Sequence, residues 1–263
     1  MSVLFTVAKS FSVMLLAALI IAAAGPPDKQ SAPETGAGLA SQLQFREITP
    51  GVFALGKVTL NKARRTVSFP AVVNQRAGMV EYAVVTLTGK THESVFKTEV
   101  RPDQIHTALL LLGANPASTN MFPRDPSEPL PGDKVTIEVT WEQDGHDFRK
   151  PLESFIITTN NQKSLSPGPW IYNGSYLLGS RFMAQVEGSI ISVHTDPVAL
   201  VNNPRKGREN DDMQNVNTAA LPPNDLPLQV VIKLEAENPS VPSQKSSARP
   251  GDQPVPPRRK PPP

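Results

Sequence analysis

The chain contains no cysteine. That absence excludes thiolate metal sites, iron–sulfur clusters, thiol nucleophiles and thioether-linked lipid anchors. It also removes disulfides, so packing alone must hold the fold even in an oxidising compartment. An excess of charge is missing too, since the formal net charge is +2. So small a value implies no nucleic-acid partner and no electrostatic attachment of the whole molecule to a membrane. Beyond the N-terminus, no apolar run is long enough to cross a bilayer. With 39% hydrophobic and 19% charged residues, the composition is that of a globular protein rather than a disordered or membrane-embedded one.

What is present is unevenly placed. There are 28 prolines, about twice the usual share of roughly 5%, and they cluster toward the two ends. Residues 1–24 read as a signal peptide. Lys9 supplies positive charge, and "FSVMLLAALIIAAAG" (11–25) is an apolar run shorter than the roughly 20 residues that span a membrane. Ala22-Ala23-Ala24 fits the small-residue cleavage rule, with Gly25 as the first mature residue. The expectation is export to the periplasm or the extracellular space, with no stable membrane span after cleavage; an uncleaved anchor is the alternative. Residues 25–42, small, polar and rich in proline and glycine, read as a flexible linker. Residues 236–263 read as a disordered, proline-rich basic tail, too poor in apolar groups to order itself. One substantial domain is left, 43–235.

That domain reads as strand-rich. "DKVTIEVTWEQ" (133–143) alternates, placing Val135, Ile137, Val139 and Trp141 on one face. Asp144-Gly145 then predicts a tight hairpin into an antiparallel partner from His146. "LPLQVVIKLE" (226–235) alternates likewise, with Leu228, Val230, Ile232 and Leu234 inward. Further strands are expected at 52–60, 66–73, 79–88, 91–98, 153–159, 170–173, 181–187 and 189–194. Helices are few. Pro102 opens one that exits at Gly113, and "TDPVALVNNP" (195–204) suggests a second, with Asp196 as its cap. The predicted class is α+β, a predominantly antiparallel β-sheet with one or two short helices.

Several stretches resemble reactive motifs. Gly89-Lys90-Thr91 copies the end of a phosphate-binding loop, but Val84 stands where the motif needs glycine, and no helix is expected to follow. A hairpin turn at Gly89-Lys90 is the structural reading. "SVFK" (94–97) matches the serine–lysine pattern of penicillin-binding enzymes without that pattern's partner motifs. His92 and Glu93 would point to opposite faces of a strand. His92 would meet His106 if the helix at 102–112 folded back, and two imidazoles with Glu93 or Asp103 would suit zinc. The alternative is a structural polar pair. "WIYNGSY" (170–176) puts Trp170 and Tyr172 on one face, as a ligand platform or as core. "RKGRENDD" (205–212) reads as a solvated loop. Arg258, Arg259 and Lys260 in the terminal "PPRRKPPP" suit contact with an anionic polymer, or a solubilising tail.

The stretches at 51–94, 106–117 and 170–205 together resemble the YdjY-domain family. The resemblance is carried by F-P-A-x-V-N (69–74), G-K-x-H-E-S (89–94) and Y-x-G-S (172–175). It implies an exported bacterial protein of a family with no established activity. By motif it singles out Phe69, Pro70, Asn74, His92, Glu93, His106, Tyr172, Gly174 and Ser175. Some relatives are associated by name with ferredoxin-like proteins, but a chain without cysteine cannot carry that chemistry. The leading expectation is an exported non-catalytic binding or structural domain of the bacterial cell envelope, engaging an envelope ligand or protein and using no cofactor. The alternative is a metal-dependent hydrolase using His92, His106 and Glu93, with zinc as its ion.

Overall fold

The computed structural model describes residues 45–116, 122–123, 125, 127–224 and 226–236. The expected signal peptide, the linker and the tail beyond Ala236 lie outside these residues. The chain order opens with β1 (Phe45–Thr49), β2 (Val52–Leu55), β3 (Val58–Asn61), β4 (Thr66–Val73), β5 (Tyr82–Thr86), β6 (Ser94–Thr98) and the helix α1 (Pro102–Leu111). It continues with β7 (Asp133–Gln143), β8 (His146–Pro151), β9 (Ile156–Thr158), β10 (Trp170–Tyr172), β11 (Leu177–Leu178), β12 (Arg181–Phe182) and the short helix α2 (Met183–Glu187). It ends with β13 (Ser189–Ser192), β14 (Val201–Asn202), β15 (Gln214–Val216) and β16 (Leu228–Leu234). The protein is therefore mostly β, with two helices among the described residues.

The main sheet closes on itself. Hydrogen bonding runs β4–β16–β7–β10–β14–β13–β5–β6, and β6 bonds back to β4, making an eight-stranded barrel. Closure was not foreseen from the sequence, because nothing local records which strand meets which. The inward faces of β7 and β16 are those the alternation predicts: Val135, Ile137, Val139, Trp141, Leu228, Val230, Ile232 and Leu234 are all buried. Asp144 and Gly145 both have positive φ, 54° and 75°, as a tight hairpin turn requires. Two strands branch: β4 gives half of one edge to β3 and the rest to β6, and β7 serves β10 and then β8 in the same way.

Most pairings are antiparallel, but β5–β6 and β13–β14 are parallel. Parallel neighbours ordinarily need a connection of a dozen or more residues. Here the links are only 87–93 and 193–200. Gly89-Lys90 is thus no hairpin turn but part of a short parallel crossover. The close backbone approach explains its glycine: a Cβ on Gly89 would sit 2.9 Å from the Gly188 carbonyl oxygen.

Other expectations are corrected. The run 52–60 is two strands around Gly56, whose φ is 59°. Residues 181–187 split into β12 and α2, 153–159 begins with a 3-10 turn, and 91–98 begins with a 3-10 turn at Thr91–Glu93. No helix forms at 195–204. There the Asp196 carboxylate accepts from the Val198 N–H at 2.8 Å, and the Asn202 side chain accepts from the Asp196 N–H at 2.8 Å. These side-chain bonds to backbone hold a turn instead of a helix.

Candidate functional site

The zinc triad does not assemble. His92 and Glu93 lie in the 3-10 turn, so strand alternation does not separate them, and His92 Nε2 stands 3.6 Å from Glu93 Oε2. Both line a hollow of about 310 Å3 with Gln75, Met79, Glu81 and Asp212. His106 has other surroundings: its Nδ1 is 2.7 Å from the Tyr172 hydroxyl, and its ring packs on Phe182 with centroids 5.0 Å apart. Asp103, the other expected carboxylate, is held by Arg101. Among the described residues no three or more of His, Cys, Asp and Glu gather as metal ligands would.

The His106–Tyr172 pair is set by α1 packing against the barrel beside α2. Tyr172 is fully buried. Burial, and secondarily the charge of Asp133, raises its pKa well above the ordinary phenol value. Burial lowers that of His106 against the opposing pull of Asp103. The phenol and the neutral imidazole are therefore hydrogen-bonded with no charge on either ring. The next residues of the motif hold the same corner. Gly174 has φ 78°, and a Cβ there would lie 2.4 Å from Pro116 Cβ. Ser175 Oγ accepts from the Ala184 N–H at 3.0 Å and so caps the first turn of α2.

The G-K-x-H-E-S stretch is tied down in the same manner. Asn74 Nδ2 donates to the Thr91 carbonyl at 2.5 Å, the Ser94 carbonyl at 2.9 Å and Ser94 Oγ at 3.0 Å. Lys90 Nζ donates to the Tyr82 hydroxyl at 2.8 Å, which donates to Asp196 Oδ2 at 2.9 Å. Asn202 then bonds both Asp196 and Asn173. This chain joins the two parallel crossovers through the core. Tyr82 keeps its proton, because burial first and Asp196 second raise its pKa; the neutral phenol bridges an ammonium and a carboxylate by hydrogen bonds. The sequence reading missed Tyr82 and Asp196 as partners of Lys90, since they lie far apart in the chain.

Trp170 is wholly buried, and so it is core rather than a ligand platform. Its Nε1 donates to Glu153 Oε1 at 3.2 Å, and the same oxygen accepts from Arg205 Nη2 at 2.6 Å. Arg205 also donates to the Ser166 and Gly168 carbonyls and lies over the Trp170 ring. Arg208 is buried and donates to the Glu128 carbonyl. The stretch at 205–212 is thus not simply a solvated loop. Its two arginines stitch long connections to the barrel, and no periodicity marks that role.

The fold and these contacts define a small closed β-barrel domain in which His106, Ser175 and Lys90 form hydrogen bonds within the framework. The family model of the YdjY domain matches residues 58–233, which is more than half of the chain. The protein belongs to the YdjY-domain family. No curated protein and no solved structure matched.

Proposed function

We propose that the protein is an exported binding domain of the bacterial cell envelope and catalyses nothing itself. The observation that carries this reading is the use made of its reactive side chains. His106, Tyr172, Ser175, Lys90 and Tyr82 each bond inside the framework. Two open hollows lie on the outer face of the sheet formed by β4, β16, β7 and β8. One of about 860 Å3 includes Thr66, Thr136 and Lys233, and another of about 520 Å3 includes Thr140, Glu142 and Gln229. Such open polar surfaces suit an extended ligand better than an enclosed small substrate. The hydrolase alternative, using His92, His106 and Glu93, has less support, since no three or more of His, Cys, Asp and Glu gather as metal ligands would among the described residues.

The test has two parts. Cell fractionation with mass spectrometry should find a mature N-terminus near Gly25 in envelope material; protein keeping Met1 in the membrane would contradict export of a free domain. Purified mature protein should then co-sediment with isolated envelope material, and protein left entirely in the supernatant would defeat the binding reading.

A further inference from the structure

The turn between β3 and β4 carries Arg64 and Arg65, and both line the 860 Å3 hollow with Arg149, Lys233, Glu138 and Glu235. Glu138 is already ion-paired with Arg149. That leaves Arg64, Arg65 and Lys233 facing the single carboxylate of Glu235. Neither Arg64, Arg65 nor Lys233 has an ion-pair partner among the described residues. Arg65 shows the shortfall most clearly. Its Nε is buried without an acceptor, and its Nη2 reaches only the Glu235 carbonyl, at 3.4 Å. Its backbone also has φ 53°, a left-handed conformation costly for a side chain other than glycine or asparagine. A guanidinium held in a strained turn and short of acceptors calls for an oxyanion.

We infer that this hollow binds the oxyanion groups, carboxylate or phosphate, of an anionic glycopolymer. Arg64, Arg65 and Lys233 would supply the cationic contacts. The inference rests on the binding reading above and names its ligand class. An extended ligand fits because Arg149 also lines the second hollow of about 520 Å3, so the surface continues along β7 beyond one charged group. A nucleic acid fits less well, since no aromatic side chain lines the larger hollow to stack a base, and the two rings of the second, Trp141 and Phe148, are already stacked on each other.

The test uses the full mature chain and four probes: polygalacturonate, polyphosphate, uncharged dextran and single-stranded DNA. Arg65→Gly with Lys233→Gln removes two charges while relieving the turn, because glycine accepts positive φ without strain. That double variant should weaken binding of one of the anionic polysaccharide or phosphate polymers by about tenfold or more, since each contact is a charge-assisted hydrogen bond. Added salt should weaken wild-type binding to the same probe. Arg46→Ser, an exposed charge on β1, should leave it unchanged. Polygalacturonate and polyphosphate together decide which oxyanion is preferred. Wild-type affinity in the double variant would overturn the inference, as would loss of all binding on neutralising only Arg258, Arg259 and Lys260. Equal or tighter binding of single-stranded DNA would overturn it too. If the protein sediments with envelope material but binds neither polyanion, this inference fails while the proposed function stands.

Discussion

His106 shows how a residue that reads as a metal ligand comes to serve stability. Its imidazole is kept neutral by burial and shares a hydrogen bond with the Tyr172 hydroxyl at Nδ1. The folded-state pKa therefore lies below the ordinary value of 6.5. Below that value the unfolded chain takes up a proton that the folded chain resists. This contribution to stability is complete above about 6.5 and is lost as pH falls through the folded pKa. Thermal midpoints should drop between about pH 7.5 and pH 5, and His106→Gln, which keeps an acceptor for the phenol, should flatten the slope. Equal slopes in the two proteins would assign the effect to another group. Tyr172→Phe should cost about 1–2 kcal/mol in urea unfolding, the usual cost of leaving a half-buried polar group unpaired. Gly174→Ala should cost more, about 2–4 kcal/mol, since the left-handed backbone and the approach of Pro116 both oppose a Cβ. A neutral result there would mean that Pro116 moves freely.

At the scale of elements, the two short parallel crossovers explain most of what the motifs do. The crossover at 87–93 returns alongside β5 only because Gly89 passes Gly188 closely and Asn74 holds its far end. Asn74→Asp keeps the shape but replaces an amide NH2, whose two hydrogens serve these acceptors, with a carboxylate facing two carbonyl oxygens. We expect a loss of about 2–3 kcal/mol, and amide exchange across 89–94 that quickens well before that of β16. Uniform exchange rates would show that the turn needs no pin. Much of this region was legible in the sequence, though not its meaning. Periodicity located β4, β7, β16 and α1, because each buries one face against a continuous core. It failed at 195–204, where Asp196 and Asn202 bond backbone groups locally and a helical composition yields a turn. It failed again at His92, placed in a strand that begins only at Ser94. Pairings such as Lys90 with Tyr82 and Asp196, or Glu153 with Arg205, depend on closure of the barrel. No local pattern encodes them.

For the whole molecule, closure makes β16 the decisive strand although it comes last. It bonds β4 along one edge and β7 along the other, over nearly its full length. Its removal would open the ring and expose the partners of Leu228, Val230, Ile232 and Leu234. Burying four such side chains is worth about 6–12 kcal/mol at roughly 1.5–3 kcal/mol each, comparable with the entire stability of a domain, about 5–15 kcal/mol. The position of a C-terminal cut should therefore matter far more than its length. A chain of residues 43–236 keeps every strand of the ring and should melt within about 4 °C of the mature protein, a shift equivalent to roughly 1 kcal/mol. A chain ending at 226 loses only ten more residues and should not fold cooperatively. The comparison is made by calorimetry on the two truncations beside the mature protein. A cooperative transition in the shorter chain would show that β4 and β7 can pair without β16. A large loss in the longer one would mean that residues 25–42 or those beyond Ala236 contribute to the stability of the barrel.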